Sequence, residues 1–330
     1  MVIIAVCVVT MSHVILYEAR ANPLLDITVQ ANKETYFVGD PVTITGNVTL
    51  DGTLKNDSLV AIEIDLPNGN PLVFRTVDTG NVSGGYWKVR ITDVYMSTTP
   101  LGNKTELFNR GATAYVNVVM ANIDMFAHPV RPAFYIQLSD NRPLMAIYMT
   151  TDFYTIEANR TAALSTSIQV PTSGASGGTL VFASIFDDNV AQGGAAYCPE
   201  FATSFYIASS TPSAPSQPEH FNIAFNLPRT NVKLGDYTIT ARTKYQLTLA
   251  TDAKSFEVIL LGDVSGIVPG VPDGKVDMRD IGFVTRLYGT REGDPNWEPT
   301  ANLYVDQGVQ VINMRDIGIV CNNFGKSGSY

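Results

Sequence analysis

The chain has 330 residues, a formal net charge of −9 and only 16% charged side chains. That length favours two or three domains. The acidic balance lacks the clustered Lys and Arg that release counterions from phosphates, which argues against a nucleic-acid partner.

Residues 2–16 (VIIAVCVVTMSHVIL) form an apolar run shorter than a membrane span, and Ala19-Arg20-Ala21 follows as an A-x-A cleavage signal. The expectation is a signal peptide over residues 1–21 and no membrane span after its removal. No Lys or Arg precedes the run, so an uncleaved N-terminal anchor is the alternative. Sequons at Asn47, Asn56, Asn81, Asn103 and Asn159 accord with a secreted or cell-surface protein. Cleavage would leave Cys198 and Cys321, too few for a disulfide framework.

From Ile27 the chain reads strand, turn, strand. Segments ITVQA, PVTITGNVTL, VAIEIDLP and PLVFRTVDT alternate apolar and polar residues, with turn signals at Val38-Gly39-Asp40-Pro41, Asp51-Gly52 and Pro67-Asn68-Gly69. Four strands leave an apolar face and sheet edges uncovered. Three more strands follow far downstream, FNIAFNLP, YTITARTKY and KSFEVIL. Residues 22–85 and 220–260 are therefore expected to form one discontinuous seven-stranded unit, with strand 237–245 beside 60–67; two separate small modules are the alternative. Leu234-Gly235-Asp236-Tyr237 looks like a tyrosine corner. On YFVGDPVTITGNV and VAIEIDLPNG the unit resembles the immunoglobulin-like domains of microbial cell surfaces.

Residues 86–208 carry seven further strand-like segments, expected to make an inserted β-sandwich. Its Arg110-Gly111-Ala112-Thr113-Ala114-Tyr115-Val116 stretch resembles adhesion-type surface modules. A Ser/Pro-rich linker, residues 209–219, leads back.

No catalytic constellation is visible. His128, in a turn-like AHPVRP stretch, and His220 lie outside any zinc-protease spacing, and no G-x-S-x-G or P-loop occurs. Asp187-Asp188 reads as a turn rather than a glycosidase pair. Tyr135, Tyr148, Phe153 and Tyr154 alternate within strands and are expected to pack in a core.

Near the C-terminus the chain repeats itself: residues 277–289 read DMRDIGFVTRLYG and residues 313–325 read NMRDIGIVCNNFG. Such a duplication marks twin units that bury their apolar faces together. Upstream of the first copy, Asp263, Ser265, Asp273, Lys275 (through its carbonyl), Asp277 and Asp280 fall at loop positions 1, 3, 5, 7, 9 and 12 once residues 267–272 are set aside as a bulge. Gly274 then takes position 6. Calcium wants six to eight oxygens from one such loop. The bland alternative is an acidic turn that caps a helix. A second, degenerate ladder runs through Asn302, Tyr304, Asp306, Asn313 and Asp316, where Tyr304 brings no carboxylate.

On these residues the last seventy or so positions, 261–330, resemble the dockerin-like modules known from archaea. The resemblance implies Ca²⁺ as cofactor, a cohesin-type protein domain as partner, and partner contacts from Met278, Arg279, Met314 and Arg315 at loop positions 10 and 11. The expected fold class is mainly β: two immunoglobulin-like β-sandwiches, one of them discontinuous, plus a small α-helical dockerin-like domain of paired loop–helix motifs. The expected function is non-catalytic, an adhesive or spacer body with a calcium-ordered docking tail. The alternative is a carbohydrate-binding or polysaccharide-degradation component of a cellulosome-like assembly, with polysaccharide or a surface glycan as a further partner.

Overall fold

A computed structural model describes residues 24–80, 87–173, 176–207, 221–245, 248–304 and 310–329. The signal segment 1–21, Asn81, the linker 209–219, His220 and Asp306 lie outside the described residues. The chain is mainly β, with two short α-helices near its end.

Two sheets are built from both ends of the β region. One runs in the order Leu25–Ala31, Pro41–Leu50, Phe221–Asn226, with Thr53–Leu54 beside Pro41–Leu50. The other runs Thr35–Phe37, Thr248–Ile259, Gly235–Tyr245, Leu59–Asp65, Pro71–Asp78. Gly235–Tyr245 lies antiparallel to Leu59–Asp65, with Thr238 opposite Asp65 and Thr243 opposite Val60. Period-two alternation sends Ile27, Val29, Val42 and Ile44 of the first sheet into one core with Ile62, Ile64, Ile239 and Val258 of the second. Gly46 has no side chain because a Cβ there would sit 2.2 Å from the Phe221 ring and 2.0 Å from the Thr28 carbonyl. Tyr237 donates its hydroxyl to the Lys233 carbonyl at 2.7 Å, which pins the turn into the long strand.

The inserted segment forms two more sheets. Pro143–Tyr148, His128–Gln137, Gly177–Phe186, Phe201–Ile207 and Leu107–Phe108 follow in that order, and Tyr154–Ile156 also pairs with His128–Gln137. Thr161–Gln169, Thr113–Asn122 and Val89–Ser97 make the facing sheet. Val130, Phe134, Ile136, Val116, Val118 and Phe205 share its core.

This insert does not stand apart. Ala133, Tyr135, Phe182 and Phe186 point away from its own core and join the first one. Phe74 meets Tyr148 at 4.5 Å and Phe186 at 6.2 Å between ring centroids. The central strands of that sheet, His128–Gln137 and Gly177–Phe186, are therefore buried on both faces, and so is the strand Leu59–Asp65 that the insert covers. Of the four aromatics expected in a core, Tyr135 is buried, Tyr148 and Tyr154 are half-buried, and Phe153 is exposed. His128, expected in a turn, instead opens a strand and lies 2.8 Å from Asp124 Oδ2.

The helices are α1, Met278–Arg286, and α2, Met314–Asn323. Phe283, Val284, Leu287 and Val320 extend the first core into this end of the chain. Gly289 and Gly325 follow the helices with φ of 85° and 81°, the left-handed conformation that lets the chain turn away. The last short strand, Gly328–Ser329, runs parallel to Val232–Lys233 and fastens the helical end to the β body.

Candidate cation loop and partner face

Helices α1 and α2 begin with the same device. Asp277 accepts from the Arg279 N–H at 2.7 Å, and Asp280 Oδ2 accepts from the Asp277 N–H at 2.7 Å. In the second copy Asn313 accepts from Arg315 N–H at 2.8 Å and Asp316 Oδ2 from Asn313 N–H at 2.7 Å. Each is a reciprocal capping box that satisfies otherwise orphaned donors.

Main-chain pairing between the copies has the same twofold character. Gly325 N–H donates to Val276 and Val276 N–H to Lys326; Gly289 N–H donates to Ile312 and Ile312 N–H to Thr290. These bonds measure 2.9, 3.0, 2.8 and 3.0 Å in that order. Lys275 and Ser327 face each other in an isolated antiparallel bridge, and the pairing bonds come from Gly274 and Val276 on either side. The Lys275 carbonyl thus turns away from Ser327.

In the first loop the oxygens at positions 1, 3 and 12 are held by main-chain donors. Asp263 accepts from Asp273 N–H at 3.1 Å and Gly274 N–H at 2.8 Å. Ser265 Oγ accepts from Gly270 N–H at 3.2 Å. Asp280, fully buried, takes the N–H groups of Val264 and Ser265 on Oδ1 at 2.7 and 2.8 Å. Burial raises the Asp263 carboxyl above the usual carboxylate range, and the negative charges of Asp280 and Asp273 push the same way. Arg279 lies 3.1 Å from Asp273 Oδ2 and 3.5 Å from Asp277 Oδ2.

The donor set therefore fits a hard cation in kind: carboxylates, a hydroxyl and a main-chain carbonyl free of the Ser327 pairing on one loop. Its arrangement is closed on itself. Among the described residues no three His, Cys, Asp or Glu side chains converge on a common point. An ion would have to take Asp273 and Asp277 from Arg279.

The second loop is satisfied differently. Tyr304 N–H donates to Asp316 Oδ1 at 2.8 Å, the bond that Ser265 makes to Asp280. Asn302 Nδ2 donates to Gln310 Oε1 at 2.6 Å, and Asn313 Nδ2 donates to the Val311 carbonyl at 3.0 Å. Neutral amides fill the places of the first loop's carboxylates at positions 1 and 9.

Met278 and Met314, the two methionines expected to meet a partner, are 66% and 64% exposed. Their arginines differ: Arg279 is on the loop carboxylates, and the Arg315 guanidinium lies 4.6 Å from the Tyr304 ring centre.

Sequence reasoning missed a second polar constellation, at the seam between the discontinuous unit and the insert. Glu63 Oε2 accepts from Tyr148 Oη at 3.1 Å and from Ala191 N–H at 2.8 Å. Arg75 makes a two-pronged bond to Glu200, with Nη2 to Oε1 at 2.6 Å. Alternation along VAIEIDLP placed Glu63 toward solvent, yet it is only 4% exposed. The signal available was an acidic residue amid β-branched neighbours, which solvated strands share. Asp187 and Asp188 lie in a turn, with Asp187 Oδ1 accepting from Ala195 N–H. Cys198 and Cys321 are both free.

No protein-family model matches the chain, and no characterised protein matches it at the level of sequence. Solved structures show partial likenesses. The alkylpurine DNA glycosylase AlkC of Pseudomonas fluorescens, bound to DNA, aligns with 38% of this chain and 32% of its own, at 9% identity and a TM-score of 0.28. The chain thus spans about a third of that protein. The C-terminal domain of wzt gives 12% identity, 41% of this chain, 81% of its own and a TM-score of 0.32. A β-glucosidase of Listeria innocua gives 11% identity, 43% of this chain, 18% of its own and a TM-score of 0.25. Likenesses of this size carry no argument about activity. Among the described residues no helix is long and apolar enough to cross a membrane.

Proposed function

We propose that this chain is a non-catalytic, exported surface protein. Two immunoglobulin-like β-sandwiches, the first of them discontinuous, form its adhesive or spacer body. A calcium-ordered, dockerin-like end presents a docking face to a cohesin-type domain. The observation that carries this reading is the twofold relation of the two helix starts, with twin capping boxes and both methionines exposed. Methionine adapts to varied partner surfaces and arginine is enriched at binding hot spots.

Calcium, once bound in the first loop, supplies a charge that holds its carboxylates together. Asp263, Ser265, Asp273, the Lys275 carbonyl, Asp277 and Asp280 would hold it. The chain's own contribution is to keep those oxygens on one loop and to bury Asp280 against Val264 and Ser265. Arg279, bonded to Asp273 in this structure, would be free to join the face that meets the partner were the loop carboxylates held by the ion. The second loop, where the Asn302 and Asn313 amides replace carboxylates, is a degenerate site that would hold calcium weakly or not at all.

A carbohydrate-targeting role remains a second reading, favoured by the exposed rings of Phe126 and Phe153 on the insert. The experiment is calorimetry of the full chain against a panel of cohesin-type domains with and without calcium, beside a glycan array. Calcium-dependent binding that survives Arg279→Ala and disappears in Arg279→Ala/Arg315→Ala supports docking through twin faces. Specific glycan binding with no cohesin binding favours the second reading.

A further inference from the structure

The seam between the discontinuous unit and the insert contains a pair of carboxyl groups, Glu63 and Asp65, to which no cation is bonded among the described residues. Along Leu59–Asp65 the side chains of Val60, Ile62 and Ile64 enter the core, while Glu63 and Asp65 point to the opposite face, beneath the insert. Tyr148 of Pro143–Tyr148 donates to Glu63 and accepts from Val190 N–H at 3.0 Å. Ala191 N–H closes on the same Glu63 oxygen. Glu63 and Asp65 stand two residues apart on the same face of one strand, Glu63 only 4% exposed, so the two carboxyls are neighbours, and any hydrogen bond between them needs a proton. Asp65 Oδ1 is buried with no donor facing it among the described residues.

Among the described residues the cations packed around the pair bond to other groups, with Arg242 Nε alone among their bonding atoms buried and unpartnered. Arg75, on the adjacent strand Pro71–Asp78, is bound to Glu200. Arg131, on His128–Gln137, donates to Asn189 Oδ1 and to the Thr150 and Thr151 carbonyls. Arg242, on Gly235–Tyr245, donates to Thr251 Oγ1 and the Ala191 carbonyl, and Lys244 pairs with Asp187.

We propose that Glu63 and Asp65 share one proton at this seam, and that losing it loosens the insert from the discontinuous unit. Burial first, and then the charge of Asp65, push the Glu63 carboxyl up to about 7, and burial raises Asp65 as well. An acid whose pKa is raised on folding contributes its stabilisation at low pH and loses it as pH climbs toward the folded value. The window here runs from the ordinary carboxyl range to about pH 7. Across it the opening equilibrium of the seam rises by up to about tenfold per pH unit, then levels. The device is independent of the cation loop and of any docking partner.

The test is amide hydrogen exchange on the full chain at pH 5 and pH 7.5, corrected for intrinsic rates and read at residues 144–148 and 190–192. Protection should fall by up to about a hundredfold in the wild-type chain and stay level in Glu63→Gln, whose amide cannot ionise. Asp65→Asn is the second variant, should the first not fold. An amide at that place donates to Glu63 and favours its anion, so the fall in protection should move to lower pH. Equal protection at both pH values in the wild type, or an unchanged fall in the variant that folds, overturns the proposal.

Discussion

The N–H of Gly328 donates to the carbonyl of Gly274 at 3.0 Å, and this bond ties the chain's last strand to the turn of the loop between Asp263 and Asp280. Gly274 holds φ at 83°, and a Cβ there would lie 2.5 Å from the Gly328 carbonyl oxygen. Gly328 is equally confined, because its Cβ would meet Leu234 at 2.6 Å. Gly274→Ala should therefore cost about 1–3 kcal/mol, the range for strain at a left-handed position. Urea unfolding of the full chain reads it, and a loss within a few tenths would show that the contact is easily relaxed.

The two mid-helix glycines behave in the opposite way. Nothing lies within 4 Å of a Cβ at Gly282 or Gly318. Each sits on the helix face of Met278 or Met314, one turn on. Alanine should stabilise each helix by about 1 kcal/mol, the helix-propensity difference. If these positions let a partner approach the helix closely, Gly282→Ala/Gly318→Ala should raise the melting temperature while weakening docking. Unchanged docking would assign the glycines no part in the partner face.

Asp280 has a structural task that needs no ion. Removing its carboxylate leaves the N–H groups of Val264, Ser265 and Asp277 without their acceptor. A buried donor left alone costs about 1–3 kcal/mol, so Asp280→Ala should lose at least about 3 kcal/mol in chelator as well as in calcium. A loss seen only in calcium would make the residue a ligand alone.

Much of this was legible in the chain. The strands alternate clearly between 25 and 80, and a β unit short of strands signalled the pairing that the structure makes between 235–245 and 59–65. The repeated Met-Arg-Asp-Ile-Gly marked twin units, and each copy proves to open a helix behind a capping box, a local signal that lay in the same residues. What stayed hidden is non-local. Tyr135, expected in a core, lies in the first one rather than that of its own insert, stacked on Phe182 beside Arg75. Glu63 read as a solvated strand residue because nothing near it in sequence announces Tyr148 or Ala191. The closed state of the first loop was also unreadable, since Arg279 reaches Asp273 only once α1 is formed.

The Arg75–Glu200 pair gives a direct measure of that seam. Both side chains are 15% exposed, and Glu200 also accepts from the Thr76 N–H at 2.8 Å. Glu200→Ala strands a buried guanidinium, which should cost about 3–5 kcal/mol. Replacing both partners with apolar residues of similar volume should cost much less. Equal losses in the two variants would mean that packing, and not charge, holds this part of the seam.

The central claim is that the loop from Asp263 to Asp280 takes a calcium ion and orders the helical end. Calcium titration calorimetry on the full chain, repeated with Asp263→Asn/Asp273→Asn, tests it most directly. The account predicts one tight site in the wild-type chain, a melting temperature that climbs with calcium as mass action requires, and loss of both in the variant. Absence of heat with an unchanged melting temperature would contradict it, leaving the aspartates as caps and turn residues of a β protein.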